Sequence, residues 1–226
     1  MRVLIWIPTY DGKIDWRVTL SLLQEQYWKD IEVDYLISPY GAVHHSRNYI
    51  CEHFLAWSWD KLLFIDADNP PKFWHIRKLI QSSKWRDIVS GLVPNRHQWD
   101  TYCIYAKEDN GDDLVGERTP IYVEDDCKDI FEIDSCGTWF VIIDRQVIKE
   151  LSDEYGGVIF ESHTRRQSHK TKEIVDVDRN KDVPEMDMQE FSEDILFCYR
   201  ARFFWYKVYA NPNCRAAHLA VPRYIE

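Results

Sequence analysis

The sequence predicts an α/β fold, with a mostly parallel central sheet flanked by helices and a smaller mixed sheet beside it. Two observations predict this. Short, continuous apolar runs such as Val3-Leu4-Ile5-Trp6-Ile7 and Leu62-Leu63-Phe64-Ile65 have the character of strands buried on both faces. Between such runs, apolar residues recur at helical spacing. The resulting βαβαβαβ order implies parallel pairing through right-handed crossovers.

Each element follows in turn. Val3–Ile7 is the first strand and ends at Pro8. Trp16, Leu20, Leu23 and Tyr27 share one face of a helix. Ile31–Ile37 is a second strand, broken by Ser38-Pro39-Tyr40-Gly41. Val43, Ile50, Phe54 and Trp57 line a second helix, and Lys61–Ile65 forms a third strand with Asp66 at its carboxyl end. A short helix over 71–82 and a strand over 88–93 complete the regular half. Beyond residue 100 the alternation stops. Strands are expected over 101–106, 130–134 and 138–143, and 107–129 is expected to be an exposed acidic loop or hairpin. Asp144 is placed to cap a helix carrying Val147, Ile148 and Leu151. The charged stretch 160–190 is poor in apolar residues and is expected to be a mobile lid. A helix over 191–203 and short strands over 206–210 and 216–220 end the chain. The 226 residues thus form one domain, with a nucleotide-type half over 1–100 and an acceptor-type half over 101–226.

Composition narrows the function. The formal charge of −10 excludes an ordinary nucleic-acid binder, which presents a basic face. An anionic small ligand stays possible where a metal ion supplies positive charge locally. The six cysteines form no CxxC pair, so neither a zinc ribbon nor a thioredoxin motif is indicated, and free thiols are expected. The many Trp and Tyr residues are expected mainly in the core, with some available to stack on sugars. No charged leader precedes Val3, and no apolar run approaches the roughly 20 residues that span a bilayer. These features lead us to expect a soluble, cytoplasmic protein with no membrane span (the host cytoplasm, should the source be viral).

The sharpest chemical signal is Phe64-Ile65-Asp66-Ala67-Asp68-Asn69. An apolar strand delivers two carboxylates to the edge of an open sheet, where α/β folds bind ligands. Carboxylates this close repel unless a cation lies between them, and hard oxygen ligands suit Mg2+ or Mn2+ shared with a substrate phosphate. The plain alternative is an acidic turn in which Asp68 caps the next helix. Thr9 and Tyr10 lie on the loop after the first strand, within reach of a base or ribose. Arg47 has the planar fork that binds phosphate, though a surface ion pair would use it equally well. Glu193 and Asp194 open a helix, where its dipole favours acids, and either could serve as a general base. His218 is a candidate metal ligand or a hydrogen-bonded core residue.

Taken in order, these motifs resemble those of the GT-A glycosyltransferases. Asp66-Ala67-Asp68 is similar to the family's DxD at the end of its third strand. Ile7-Pro8-Thr9-Tyr10 resembles the nucleoside-contacting end of the first strand. His45-Ser46-Arg47-Asn48 looks like its Arg-Asn pair, and Asp134–Phe140 like the return beneath the acceptor. Ser192–Cys198 is similar to the acidic helix start, and His218 lies where many members place a metal-binding histidine. The motifs run from residue 3 to about 219.

The resemblance implies a nucleotide-diphosphate sugar donor, UDP by family frequency, bound by Pro8, Thr9, Tyr10, Ser38, Arg47, Asn48, Asp66 and Ala67. It implies Mn2+ or Mg2+ on Asp68, Asp66 and His218. A hydroxyl of a glycan or glycoconjugate would be the acceptor, with Asp194 as base, Glu193 in support and inversion at the anomeric carbon. One departure stands out. Many members end the second strand with a base-reading Asp, whereas this chain has Ile37-Ser38-Pro39, so Ser38 or Tyr10 is expected to substitute. Two other readings compete. A sugar-phosphate nucleotidyltransferase would carry a basic Gly-rich loop after the first strand, and Pro8-Thr9-Tyr10-Asp11-Gly12 is not one. A silent nucleotide-sugar-binding module would not need the Glu193-Asp194 pair.

Overall fold

The computed structural model describes residues 1–9, 13–23, 30–39, 43–95, 101–107, 118–161, 163–168, 174–176 and 186–219. The strands are β1 (Arg2–Thr9), β2 (Glu32–Pro39), β3 (Lys61–Ile65), β4 (Ile88–Leu92), β5 (Ile104–Lys107), β6 (Arg118–Pro120), β7 (Phe131–Ile133), β8 (Ser135–Cys136), β9 (Phe140–Asp144), β10 (His163–Ser168), β11 (Ile174–Asp176), β12 (Met186–Phe191) and β13 (Val208–Arg215). The helices are α1 (Trp16–Leu23), α2 (Val43–Ala56), α3 (Phe73–Ser82), α4 (Arg145–Glu154) and α5 (Glu193–Phe203), with a 3-10 turn over Ser83–Trp85.

A seven-stranded sheet in the order β2-β1-β3-β9-β4-β13-β7 is the frame. β2, β1, β3, β4 and β13 run one way, because β1 pairs parallel with β2 and β3, and β4 pairs parallel with β13. β9 enters antiparallel between β3 and β4, and β7 closes the far edge antiparallel to β13. The mostly parallel sheet is therefore present, but a strand from the second half of the chain is threaded into the first half. β3 and β4 are not neighbours as a simple βαβ reading would have them. Two small antiparallel sheets, β6-β5-β8 and β11-β10-β12, lie outside this frame.

β1, β3, β4 and β9 are buried on both sides, which is why their sequences read as unbroken apolar runs. Leu4, Trp6, Leu62 and Phe64 join a core with Ile50 and Phe54 of α2, Val147, Ile148 and Leu151 of α4, and Phe197 and Ala201 of α5. Val3, Ile5, Ile7, Leu63 and Ile65 join the opposite core with Val18 and Leu22 of α1 and Ile76, Leu79 and Ile80 of α3. So α2, α4 and α5 cover one face of the sheet, and α1 and α3 cover the other. All six cysteines are free.

Several expectations change. α1 buries Val18, Ser21 and Leu22 rather than Trp16, Leu20 and Leu23, which face outward. Both triplets keep helical spacing, so periodicity alone did not choose the side. Tyr27 lies outside the described residues. Trp57 falls beyond the end of α2 and is exposed, whereas Ile50 and Phe54 are buried as expected. Among the described tryptophans Trp6 and Trp59 are buried, but Trp16, Trp57, Trp74, Trp85 and Trp205 are exposed, so the Trp-rich core is only part of the account. The strand expected over 206–210 is β13, which runs on to Arg215, and the one expected over 216–220 is reduced, among its described residues, to an isolated bridge from Ala216 to Pro71. β13 carries Pro212 through an irregularity in its pairing with β4 between Asn211 and Arg215, a place where a strand tolerates proline. The described parts of 160–190 contain β10, β11 and part of β12. Asp144 caps α4 as expected, with its Oδ1 accepting from the Gln146 amide at 2.9 Å.

Candidate active site

β3 carries the chain to the carboxyl edge of the sheet and releases it at Asp66. The Asp66 amide donates to the Trp139 carbonyl at 3.0 Å, and the Asn69 amide to the Asp66 carbonyl at 3.0 Å, which folds Asp66–Asn69 into a tight turn. The end of the chain then docks on that turn. Ala217 N–H donates to Pro70 O and Leu219 N–H to Asp68 O, both at 3.1 Å, and Asn69 Nδ2 donates to Ala217 O at 3.1 Å. His218, next to Leu219, is thereby brought to the backbone of Asp68 from far along the chain. Its ring lies 5.4 Å from that of Trp139. Its Nδ1 is 2.8 Å from the Pro94 carbonyl. A carbonyl only accepts, so Nδ1 carries a proton.

On the other side of β3, α2 and α5 bring three charges together. Arg47 is 1% exposed, and its Nη1 donates to Glu193 Oε1 at 2.8 Å and to Asp194 Oδ1 at 2.7 Å. Thr138 Oγ1 also donates to Asp194 Oδ1, and Thr138 is fully buried. The Arg47 guanidinium lies 5.8 Å from the Phe160 ring, which stacks on Phe197 at 4.6 Å. Asn48, next to Arg47 on α2, closes this wall. Its Nδ2 donates to Phe160 O at 2.7 Å and its Oδ1 accepts from Phe160 N–H at 2.8 Å.

The electrostatics follow from burial. Burial opposes the charge on Arg47, but Asp194, Asp66 and Glu193 outweigh it and hold the guanidinium above its usual range. Burial raises the Asp194 carboxyl, against the pull of Arg47; Glu193 raises it further, and Thr138 lowers it. Asp66 is pushed up to about 7, first by burial, against Arg47, with Asp68, Asp194 and Glu193 adding to the rise. Asp66 as a residue keeps some exposure, yet its Oδ1 is closed off and has no hydrogen-bond partner.

Comparison with known proteins fixes the frame. The sequence matches no protein-family model and no curated protein. Its fold is similar to that of A197 from STIV, with a TM-score of 0.58 and 19% identity over 98% of this chain and 87% of that one. It is also similar to GalNAc-T7, solved with UDP, GalNAc and Mn2+, with a TM-score of 0.52 and 9% identity over 97% of this chain. The chain spans 44% of the GalNAc-T7 chain. The chain has the GT-A fold.

Within the GT-A frame, the residues singled out in the sequence separate into three groups. Asp66, Ala67, Asp68 and His218 lie along the carboxyl edge. Arg47, Glu193 and Asp194 meet behind it. Thr9 and Ser38 turn inward: Thr9 is 2% exposed and donates to Ser38 O at 3.3 Å, and Ser38 Oγ accepts from Trp6 Nε1 at 2.6 Å. Pro8 pairs with Ser38 across β1 and β2. Tyr10 lies outside the described residues. The surface ion pair considered for Arg47 is excluded by its burial, and the Asn48 amide is taken up by the Phe160 backbone.

The residues at the turn fit a divalent ion in one respect, because the orphaned Asp66 Oδ1 is a buried acceptor that lacks a positive partner. They do not form a ready-made cage. Among the described residues no three His, Cys, Asp or Glu side chains are grouped to hold a metal, so Asp66, Asp68 and His218 do not close on one point. An ion there would draw further oxygen ligands from phosphate and water, as Mg2+ and related ions commonly do. Two residues were missed in the sequence. Thr138 lies inside a noted motif, but nothing local shows its hydroxyl reaching α5. Phe160 reads as the start of a charged stretch and is instead a buried anchor.

Proposed function

We propose that this protein is a glycosyltransferase that moves a sugar from a nucleotide-diphosphate donor, UDP by default, to a hydroxyl of a glycan or glycoconjugate. The observation that carries this reading is the gathering of Asp66, Glu193 and Asp194 around Arg47, beside the carboxyl edge of a GT-A sheet. The donor lies over the turn after β3. Asp68 and Asp66, with His218, are the residues that would hold a divalent ion, Mn2+ or Mg2+, which when bound would supply positive charge against the negative charge growing on the departing diphosphate.

Asp194 is the base. Arg47 and Thr138 hold its Oδ1, which orients the carboxylate that takes the proton from the acceptor hydroxyl. Burial keeps its affinity for that proton high, which brings a carboxylate closer to the pH at which it works. Glu193 shares Arg47 and supports the acceptor side. Attack by the hydroxyl on the face opposite the diphosphate gives inversion.

Purified protein with UDP, titrated with and without Mn2+, tests the donor assignment, and metal-dependent binding is expected. Asp194→Asn should keep that binding and lose transfer by roughly 10²–10⁴-fold, the usual contribution of a general base. Asp68→Ala should lose metal-dependent transfer with the fold intact. Unchanged turnover in Asp194→Asn excludes it as the base. Pyrophosphate release from a nucleoside triphosphate moves the chain to the nucleotidyltransferases.

A further inference from the structure

We propose that the outer face of α1, α3 and the 3-10 turn is a docking surface for an anionic lipid bilayer. Its position is independent of the transfer reading. The two helices are packed neighbours on one face of the sheet, joined by Ser21 Oγ donating to Pro71 O at 2.5 Å and by a shared core. Each buries one side and shows the other. α1 buries Val18, Ser21 and Leu22 and presents Trp16, Leu20 and Leu23 to solvent. α3 buries Ile76, Leu79 and Ile80 and presents Trp74, Lys78 and Gln81. At Ser83–Trp85 the exposed surface continues with Lys84 and Trp85. Trp85 is 85% exposed and Trp16 68%.

The charge of this face runs against that of the molecule. The chain as a whole is −10, yet from Asn69 to Arg86 it carries Lys72, Arg77, Lys78, Lys84 and Arg86 and no acidic residue. Lys72, Lys78 and Lys84 have no acidic partner among the described residues. Among the described residues, Asp15 and Asp30 near this layer are engaged by Arg17 and Arg77. The ammonium groups sit over the exposed indoles, with Lys72 5.5 Å from the Trp74 ring and Lys84 5.2 Å from the Trp85 ring.

That combination identifies the partner. Lysines attract an anionic leaflet over a Debye length, and tryptophans settle at the level of the headgroups. The aliphatic side chains of Leu20 and Leu23 gain from the acyl boundary beneath, as the apolar side of an interfacial helix does. A nucleic acid would reward the cations but give these aliphatic groups nothing to enter. No described helix is long and apolar enough to cross a membrane, so the contact is one of surface docking. Because α3 begins just after the Asp66–Asn69 turn, a docked bilayer lies close to the carboxyl edge of the sheet.

Co-sedimentation of the full chain with vesicles of phosphatidylglycerol and phosphatidylcholine, and with phosphatidylcholine alone, tests this. Binding to the mixed vesicles should exceed binding to the neutral ones, weaken with salt, and shift tryptophan emission to the blue. Lys72→Gln/Lys78→Gln/Lys84→Gln should weaken it by roughly a hundredfold, at about fivefold per cation lost. Trp85→Ser should remove much of the blue shift while salt dependence remains. These side chains are exposed, so thermal unfolding should confirm an unchanged fold in each variant. Equal affinity for the two vesicle types, or unchanged binding by the triple variant, overturns the proposal. So does preferential capture by duplex DNA or by an acidic polypeptide over the anionic vesicles.

Discussion

Arg47 and Arg77 carry the same group on opposite sides of one sheet, in opposite circumstances. Arg47 is enclosed between α2 and α5, 1% exposed at its side chain, with carboxylate oxygens at 2.7 and 2.8 Å. Arg77 stands on the outer side of α3, 42% exposed at its side chain, with Asp30 at 3.2 Å. The enclosed pair has little water to fall back on if a partner is removed, whereas the outer pair exchanges one well-solvated state for another. The contrast extends to the layers around them. On the Arg47 side, charge is enclosed and paired. On the Arg77 side, charge is displayed to solvent.

Arg47→Met should have the largest effect. It leaves Asp194, Glu193 and Asp66 crowded without their cation, and losing one member of a buried charge cluster typically costs about 3–5 kcal/mol. Urea unfolding measures it. Adding Asp194→Asn in the same chain should recover part of the loss, and strict additivity of the two changes would break the picture of one coupled cluster. Gly91→Ala comes next, because it strains the frame on which both sides rest. A Cβ there would lie 2.2 Å from Phe140 Cδ1 and 2.9 Å from the Cys214 carbonyl. The ring can turn only within a packed core and the carbonyl belongs to β13, so overpacking should cost about 1–3 kcal/mol. A variant as stable as the parent would mean that β4 and β9 can part at little expense.

A pH series sharpens the enclosed side further. Asp66 is raised from an ordinary value of 3.8 to about 7. A raised carboxyl holds a proton in the folded protein that the unfolded chain has already released. With metal removed, stability should therefore fall as pH rises from about 4 to about 7, by at most about 1.4 kcal/mol per unit, and level off above. Asp194, raised in the same sense, steepens this slope. Stability that climbs across that window would show Asp66 to be ionised and well paired.

Why the sequence disclosed one side more fully than the other is a matter of range. β1, β3 and β4 were legible because burial on both faces writes itself as unbroken apolar runs. Asp66 and Asp68 were legible because they punctuate such a run. The Asp144 cap needs only its own helix, and it too could be read locally. By contrast, the insertion of β9 between β3 and β4 depends on a partner dozens of residues away, as does the reach of Thr138 to Asp194. The outward turn of Trp16, Leu20 and Leu23 was not legible for a different reason. An apolar stripe at helical spacing looks the same whether it meets a core or a bilayer, and only the position of Val18 and Leu22 against the sheet separates the two.

Arg77→Gln should have the smallest effect, and it tests the display side of the comparison. The exposed pair with Asp30 is worth about 0–1 kcal/mol, reduced further by salt, and the glutamine stem still covers the helix. Unfolding should therefore move by no more than that, and the difference should vanish at high ionic strength. Vesicle affinity, measured on the same sample, should fall by roughly the fivefold expected of one cation. Stability and binding would then separate at a single residue, which is how a displayed charge should behave. A loss of stability comparable with that of Arg47→Met would instead place Arg77 within the frame that holds α3 to the sheet, and the distinction between the two arginines would be one of location alone.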